Sequence, residues 1–259
     1  MRIVVKVGTS TLAYKTGNLN IKRVEELCKV IADLKNAGNE MILVSSGAIG
    51  MGVGKLSLRE RPRDLPGKQA AAAVGQCELM YTYDKLFGAY NHTVAQILLT
   101  GDVVQDETRY INFKNTIERL LDMRVLPIVN ENDSVSVSEI QIGDNDTLGA
   151  IVAGTVKADK LIILTDIDGL YTSDPRKNPD ATLIREVEEI NDEIRSLGGD
   201  SVSIHGTGGM ITKISAAEIA AAEGTETVIA NGNNPEILYD IAEGREFTGT
   251  RFTVKEKEI

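Results

Sequence analysis

Residues 3–54 read IVVKVGTSTLAYKTGNLNIKRVEELCKVIADLKNAGNEMILVSSGAIGMGVG, and this stretch decides the fold. Ile3 to Val7 is a β-rich apolar run interrupted by Lys6 and closed by Gly8-Thr9-Ser10. Ile21, Val24, Cys28, Ile31 and Leu34 then recur at helical spacing, with Asn20 placed to cap the start and Gly38 the end. Met41 to Val44 is a second buried-looking strand, and it runs into Ser45-Ser46-Gly47-Ala48-Ile49-Gly50 and on to Gly54, a glycine-rich turn leading into a helix. Strand, helix and strand in this order form a βαβ unit with a right-handed crossover. Loops at strand ends are where such sheets bind ligands, and two small-residue turns predict backbone N–H groups cradling a phosphate or carboxylate.

The alternation continues outward. Lys55 to Lys68 holds five basic residues, Pro62 and Pro66 with no helical period, and reads as a mobile loop. An Ala-rich helix is predicted from about Gln69 to Phe87, a strand from about Thr93 to Leu99, a polar helix from about Thr108 to Asp122, and a strand at Val125 to Val129 made irregular by Pro127. Leu148, Ile151, Val152 and Val156 mark another helix, Leu161 to Leu164 another apolar strand, and Asp174 to Asp180 a loop long enough for a lid. A short helix, the GTGGMITK loop at Gly206 to Lys213 with its helix, a strand near Thr227 to Ala230, a helix after Pro235 and a strand from about Thr250 complete the chain. The predicted architecture is α/β: a three-layer αβα, doubly wound, mainly parallel sheet.

Composition sets the function classes. The chain has 259 residues, 42% of them hydrophobic, enough for one large domain or two lobes. A net charge of -10 argues against a nucleic-acid or anionic-membrane surface, so any polyanionic ligand must be met by a few focused cations. No charged-then-apolar leader is present and no apolar run approaches the ~18 residues of a membrane span, which predicts a cytoplasmic protein. Cys28 and Cys77 form no CxxC pair and read as core thiols, and two histidines, His92 and His205, are too few for a multi-histidine metal centre.

Three features could carry chemistry. Asn130 to Asp146, NENDSVSVSEIQIGDND, holds five carboxylates and no Lys or Arg; its alternating middle suits a two-stranded excursion that returns GDND to NEND. The mouth so formed could hold a metal or a substrate ammonium, or be a solvated acidic surface. GTGGMITK matches neither GxGxxG nor the Walker A order, yet its small residues, helix N-terminus and first-turn Lys213 are those of an anion site; tight helix-sheet packing is the alternative. Lys6 within an apolar strand needs a carboxylate or phosphate beside it unless it snorkels from an edge strand.

VVKVGTS (Val4 to Ser10), VSSGAIG (Val44 to Gly50), KQAAAAVGQ (Lys68 to Gln76), LPIVNEND (Leu126 to Asp133), IGDNDTL (Ile142 to Leu148), LTDIDGLYTSDPR (Leu164 to Arg176) and GTGGMITK, in that order, resemble the amino acid kinase family. They are most similar to its branch acting on the side-chain carboxylate of L-glutamate, the first step of proline synthesis; aspartate, acetylglutamate, carbamate and UMP kinases share the plan. A sensor that binds ATP and an amino acid without turnover is the reading from another class. The resemblance implies phosphoryl transfer from ATP with Mg²⁺, an amino-acid-binding lobe at residues 1–157 and a nucleotide-binding lobe at 158–259. It implies catalytic roles for Lys6, Lys213 and Asp146, and substrate contacts from Ser46, Gly47, Asp133 and Asn145. Nucleotide contacts fall to Lys6, Gly8, Thr165, Asp166, Thr207, Gly208, Gly209, Met210, Ile211, Thr212 and Lys213. It also implies a homodimer or homotetramer and proline as a feedback inhibitor; the sequence departs from many members of the branch in stopping at Ile259, where they continue into a C-terminal PUA domain. Glu131, Glu139 and Asp144 receive no role, and the Mg²⁺ ligands are unassigned.

Overall fold

The computed structural model describes residues 1–14, 18–135, 144–199 and 209–254. Its elements in chain order are β1 (Arg2–Val7), α1 (Thr9–Leu12), α2 (Ile21–Asn36), β2 (Glu40–Ser45), α3 (Ala48–Lys55), α4 (Leu65–Gly88), β3 (Val94–Leu99), α5 (Glu107–Asp122), β4 (Leu126–Glu131), α6 (Asn145–Thr155), β5 (Lys160–Thr165), β6 (Glu186–Val187), α7 (Asp192–Ser196), α8 (Met210–Ala222), β7 (Glu226–Asn231), α9 (Ile237–Glu243) and β8 (Gly249–Phe252). The strands form one sheet in the order β3-β4-β2-β1-β5-β7-β8-β6, so both expected lobes share it. Every pairing is parallel except β7 with β8.

The two-residue period of β1 sorts its side chains between two helical layers. Ile3, Val5 and Val7 join the core built with α2, α4 and α9, through Leu27, Leu79, Tyr83 and Leu238. Val4 joins the opposite core, with Ile117 of α5, Leu148 of α6 and Ile214 of α8. Lys6 shares the face of Val4, and a Cβ on Gly149 of α6 would lie 3.4 Å from the Lys6 Cβ. Since β1 lies between β2 and β5, the edge-strand reading of Lys6 is wrong: this lysine is central and only 7% exposed.

Several boundaries differ from the sequence reading for identifiable reasons. α4 starts at Leu65 because the Asp64 side chain caps it, accepting the Gly67 N–H at 2.8 Å, and Pro66 occupies the first turn, where its missing N–H costs nothing. The basic loop is thereby confined to residues 56–64. Pro127 leaves β4 regular: the ladder with β2 begins only at Leu43 with Ile128, so proline takes no donor from it. β6 has just two residues, below the length at which alternation can be read, and β8 is antiparallel. Cys28 is buried but Cys77 is exposed on α4, so only one thiol belongs to the core. The His92 Nε2 lies 3.2 Å from the Ala32 carbonyl. Most of the predicted two-stranded excursion, with Val137, Ile140 and Ile142, lies outside the described residues, as does His205. Among the described residues no helix is long and apolar enough to cross a membrane.

Past the Ser46-Gly47 turn, the glycine-rich run serves helix packing through Gly52. Only Ser46 and Gly47 form the turn, with Gly47 at φ +104°; the residues after it are α3 itself. α3 lies against α4 at backbone contact. A Cβ on Gly52 would fall 1.7 Å from the Ala71 carbonyl oxygen, and one on Gly75 would fall 1.8 Å from that of Ala48. Gly52→Ala and Gly75→Ala should therefore each destabilise the protein by ~1–3 kcal/mol or more in urea unfolding. Gly88→Ala, with nothing within 4 Å of the new methyl, should be neutral or stabilising by up to ~1 kcal/mol.

Candidate active site

The parallel strands end at one edge of the sheet, and α6 and α8 begin there. Asp144 caps α6: its Oδ1 accepts the N–H groups of Asp146 at 2.7 Å and Thr147 at 2.9 Å. The cap gives Asp144 a structural role that the sequence reading missed, and it places Asp146 in the first turn. α8 starts after Gly209, which brings Thr212 and Lys213 into its own first turn.

Asp146 is 1% exposed and joins the two lysines. Its Oδ1 lies 2.6 Å from the Lys6 Nζ and its Oδ2 lies 3.1 Å from the Lys213 Nζ. The Thr212 hydroxyl lies 2.8 Å from Oδ2 and equally 2.8 Å from the Gly209 carbonyl oxygen. Burial alone would raise the Asp146 pKa, but the Lys6 and Lys213 ammonium groups outweigh it and hold the carboxyl down at about 2. Two ammonium groups against one carboxylate leave a formal excess of positive charge in a site that the chain's net charge of -10 would otherwise make repellent to anions. Gly8 packs over this cluster, since a Cβ there would lie 3.6 Å from the Lys6 Nζ.

A second, neutral cluster adjoins it. The Asn145 Nδ2 donates to the Ser46 Oγ at 2.6 Å and to the Asn130 Oδ1 at 3.0 Å, and lies 3.3 Å from the Ser45 carbonyl oxygen. Asn130, at the end of β4, donates in turn to the Gln76 Oε1 of α4 at 2.9 Å. Ser45 and Tyr83 share a buried hydroxyl contact of 2.8 Å beneath the Ser46-Gly47 turn. The contact of Asn145 with Asn130 brings GDND to NEND as the sequence suggested, whereas Gln76 escaped the sequence reading. The available signal was a single amide closing the Ala-rich run of KQAAAAVGQ, a polar residue on a helix stripe that also holds Leu79 and Tyr83.

Asp133 lies in the turn just beyond β4, half-buried. Burial raises its pKa most, the nearby Glu131 adds to the rise, and Arg61 offsets part of it, leaving the carboxyl at about 6. On the opposite flank Thr165 ends β5, with its hydroxyl 3.3 Å from the exposed Asp166 carboxylate. Asp168 accepts from the Asn231 Nδ2 at 2.7 Å and the Tyr171 hydroxyl at 3.1 Å, tying the loop after β5 to the end of β7. A cavity of about 620 Å³ lined by Asp168, Asn231, Arg185, Glu236 and Phe247 opens beside that tie, away from the Lys6–Asp146–Lys213 cluster. Met210 and the 42% exposed Ile211 start α8 beside the lysines, whereas Thr207 and Gly208 lie outside the described residues. Among the described residues no group of three or more His, Cys, Asp or Glu side chains is arranged to hold a metal ion.

Comparison with known proteins places this geometry. Residues 1–231 match the model of the amino acid kinase family. The chain is 54% identical to a glutamate 5-kinase of Clostridium perfringens, over 99% of this chain and 97% of that protein. It is 51% identical to a glutamate 5-kinase of Thermoanaerobacter sp. over its whole length, which is 69% of that longer relative. Among solved structures, isopentenyl phosphate kinase superposes with a TM-score of 0.69 at 18% identity, covering 98% of this chain and 100% of that one. Carbamate kinase from Giardia lamblia bound to AMP-PNP superposes with a TM-score of 0.68 at 20% identity, covering 98% of each chain. With relatives so alike over nearly its full length, and the fold shared by kinases of other acceptors, the chain belongs to the amino acid kinase family.

Proposed function

We propose that the chain transfers the γ-phosphoryl group of ATP to the side-chain carboxylate of L-glutamate, giving glutamyl 5-phosphate and ADP. The observation that carries this reading is the buried Asp146 bridging Lys6 and Lys213 beside the Ser46–Asn145 pair. The glutamate 5-kinases that it resembles over nearly all its length support the choice of acceptor.

The chemistry asks little of acid-base groups. A carboxylate of reference pKa about 4.3 is already ionised at neutral pH, so one of its oxygens attacks the γ-phosphorus without a general base. As the new O–P bond forms, the bond to the β-phosphate oxygen breaks and its electron pair leaves on ADP. The obstacle is repulsion between two anions. Lys6, from β1, and Lys213, from α8, supply the cancelling charge on the transferring group from two sides, and Asp146 fixes both ammonium positions before substrate arrives. Backbone N–H groups near Gly8 and Gly47 would approach the same group.

Asp133 would meet the substrate ammonium, and Ser46, Gly47 and Asn145 the rest of the amino acid, within the lobe of residues 1–157. Thr165, Asp166 and the segment from Thr207 to Lys213 would hold the nucleotide within residues 158–259. Mg²⁺ fits this site only as part of the MgATP substrate: the Asp146 oxygens are engaged by lysines and Thr212, and the described residues offer no three-carboxylate cage. Proline as an inhibitor and a homodimeric or homotetrameric assembly belong to the same reading.

The test is incubation with MgATP and a panel of acids, glutamate, aspartate, acetylglutamate and carbamate, trapping acyl phosphate with hydroxylamine and following ADP. Glutamate-dependent ADP with a trapped hydroxamate is expected; ligand binding without ADP above background would make the chain a sensor. Lys6→Ala and Lys213→Ala should each lower kcat by about 10²-fold or more while glutamate binding by calorimetry persists. Near-normal turnover in both variants would refute their roles.

Asp146→Asn would leave two buried ammonium groups without a counter-charge and should cost ~3–5 kcal/mol in urea unfolding. In the wild type, the depressed pKa of Asp146 means that its stabilisation is complete above the unfolded carboxyl pKa of ~3.9 and disappears as pH falls through about 2. Asp133 behaves in the opposite sense. Its raised pKa makes charging it costly to the empty protein as pH rises through about 6, and a bound ammonium offsets that cost. Lowering the pH from 8 to 5 should therefore raise KM for glutamate about tenfold as Asp133 protonates. Asp133→Asn should raise KM at pH 8 and flatten that dependence.

A further inference from the structure

We propose that Gln76, which the site reading leaves without a role, is a positioning residue that sets the hydrogen-bond polarity of the amino-acid site through Asn130 and Asn145. The proposal rests on the reading that Asn145 and Ser46 meet the substrate.

The orientation of each amide follows from one fixed donor. The Glu131 backbone N–H can only donate, so the Asn130 atom that it meets at 2.9 Å is the amide oxygen. The Asn130 NH₂ group is thereby turned toward α4, where it needs an acceptor, and the Gln76 Oε1 supplies one at 2.9 Å. The Asn130 oxygen also faces Asn145 at 3.0 Å, so Asn145 must present its NH₂ there. The second hydrogen of that NH₂ goes to the Ser46 Oγ at 2.6 Å, with the Ser45 carbonyl oxygen a longer acceptor for the same group at 3.3 Å. Two consequences reach the ligand. The Asn145 amide has spent both hydrogens on the protein and keeps its oxygen as an acceptor for a ligand N–H. The Ser46 hydroxyl accepts from Asn145 and keeps its own hydrogen to donate to a carboxylate. An acceptor and a donor side by side, with Asp133 three positions beyond Asn130 in the chain, match a zwitterionic amino acid.

Gln76 completes the chain from the opposite helical layer. Asn130 is 1% exposed and Gln76 9% exposed, so no bulk water can stand in for the missing acceptor. Without it the Asn130 NH₂ is stranded, and the residue gains by turning to find another partner, which releases Asn145. Gln76 itself touches neither lysine of the charged cluster, so its loss falls on amino-acid binding and spares phosphoryl transfer.

The test compares Gln76→Met, which keeps the volume and removes the acceptor, with Gln76→Glu, which presents an acceptor oxygen whether ionised or protonated. Circular dichroism establishes that both are folded. Gln76→Met should raise KM for glutamate at least fivefold, leaving kcat and KM for ATP within about twofold, and Gln76→Glu should restore most of the loss. An unchanged KM for glutamate in Gln76→Met, equal changes in both substrates' KM, or no recovery in Gln76→Glu would overturn the proposal. A second readout needs no turnover. In ¹⁵N spectra of the ligand-free protein, the Asn145 side-chain amide pair, assigned as the pair lost in Asn145→Asp, should move in Gln76→Met and return in Gln76→Glu. A wild type inactive on glutamate with that movement intact would reject the acceptor assignment alone; an unmoved Asn145 pair would reject the relay whatever the activity.

Discussion

The structure depends on burying one carboxylate between two ammonium groups. Desolvating such charges costs several kcal/mol per ion, and only close pairing offsets it. Asp146 meets that condition with 2.6 and 3.1 Å contacts to Lys6 and Lys213 and a third contact from Thr212. The geometry of the fold follows from the same need. Lys6 is held where a central strand ends, Asp146 and Lys213 in the first turns of helices on one layer, and Gly149 lets α6 come down onto the stem of Lys6. The excess positive charge is then available to an anion, which is what phosphoryl transfer between two anions requires.

Much of this was legible in the sequence because it rests on local patterns. A lysine inside an apolar strand demands a partner, although only the resemblance to the amino acid kinase family pointed to Asp146 as that partner. The period of two in β1 and the helical spacing of Val24, Cys28, Ile31 and Leu34 fixed the layers, whereas Ile21, counted on the same face, is 62% exposed at the first position of α2. Asn20 caps α2 as its position suggested, accepting the Arg23 N–H at 3.2 Å.

What escaped depends on contacts through space. Gly52 and Gly75 are needed because two helices touch at backbone distance, and nothing near either residue announces the other. Gln76 belongs to the same class: an amide on an Ala-rich helix takes its meaning from Asn130, 54 positions away. The Asp64 cap was obscured by Pro62 and Pro66, whose presence suggested a loop where Pro66 in fact starts a helix.

Asn145 and Asp146 are neighbours at the head of α6 yet face different partners: Asn145 connects to Asn130 of β4 and through it to Gln76 of α4, Asp146 to Lys6 of β1 and Lys213 of α8. On the proposed assignment, recognition of the acceptor and handling of the phosphoryl group would fall to separate contact networks although the two residues are adjacent in the chain. On that proposal, the wall contributed by α4 is where a change of acceptor preference would act, apart from the charged cluster.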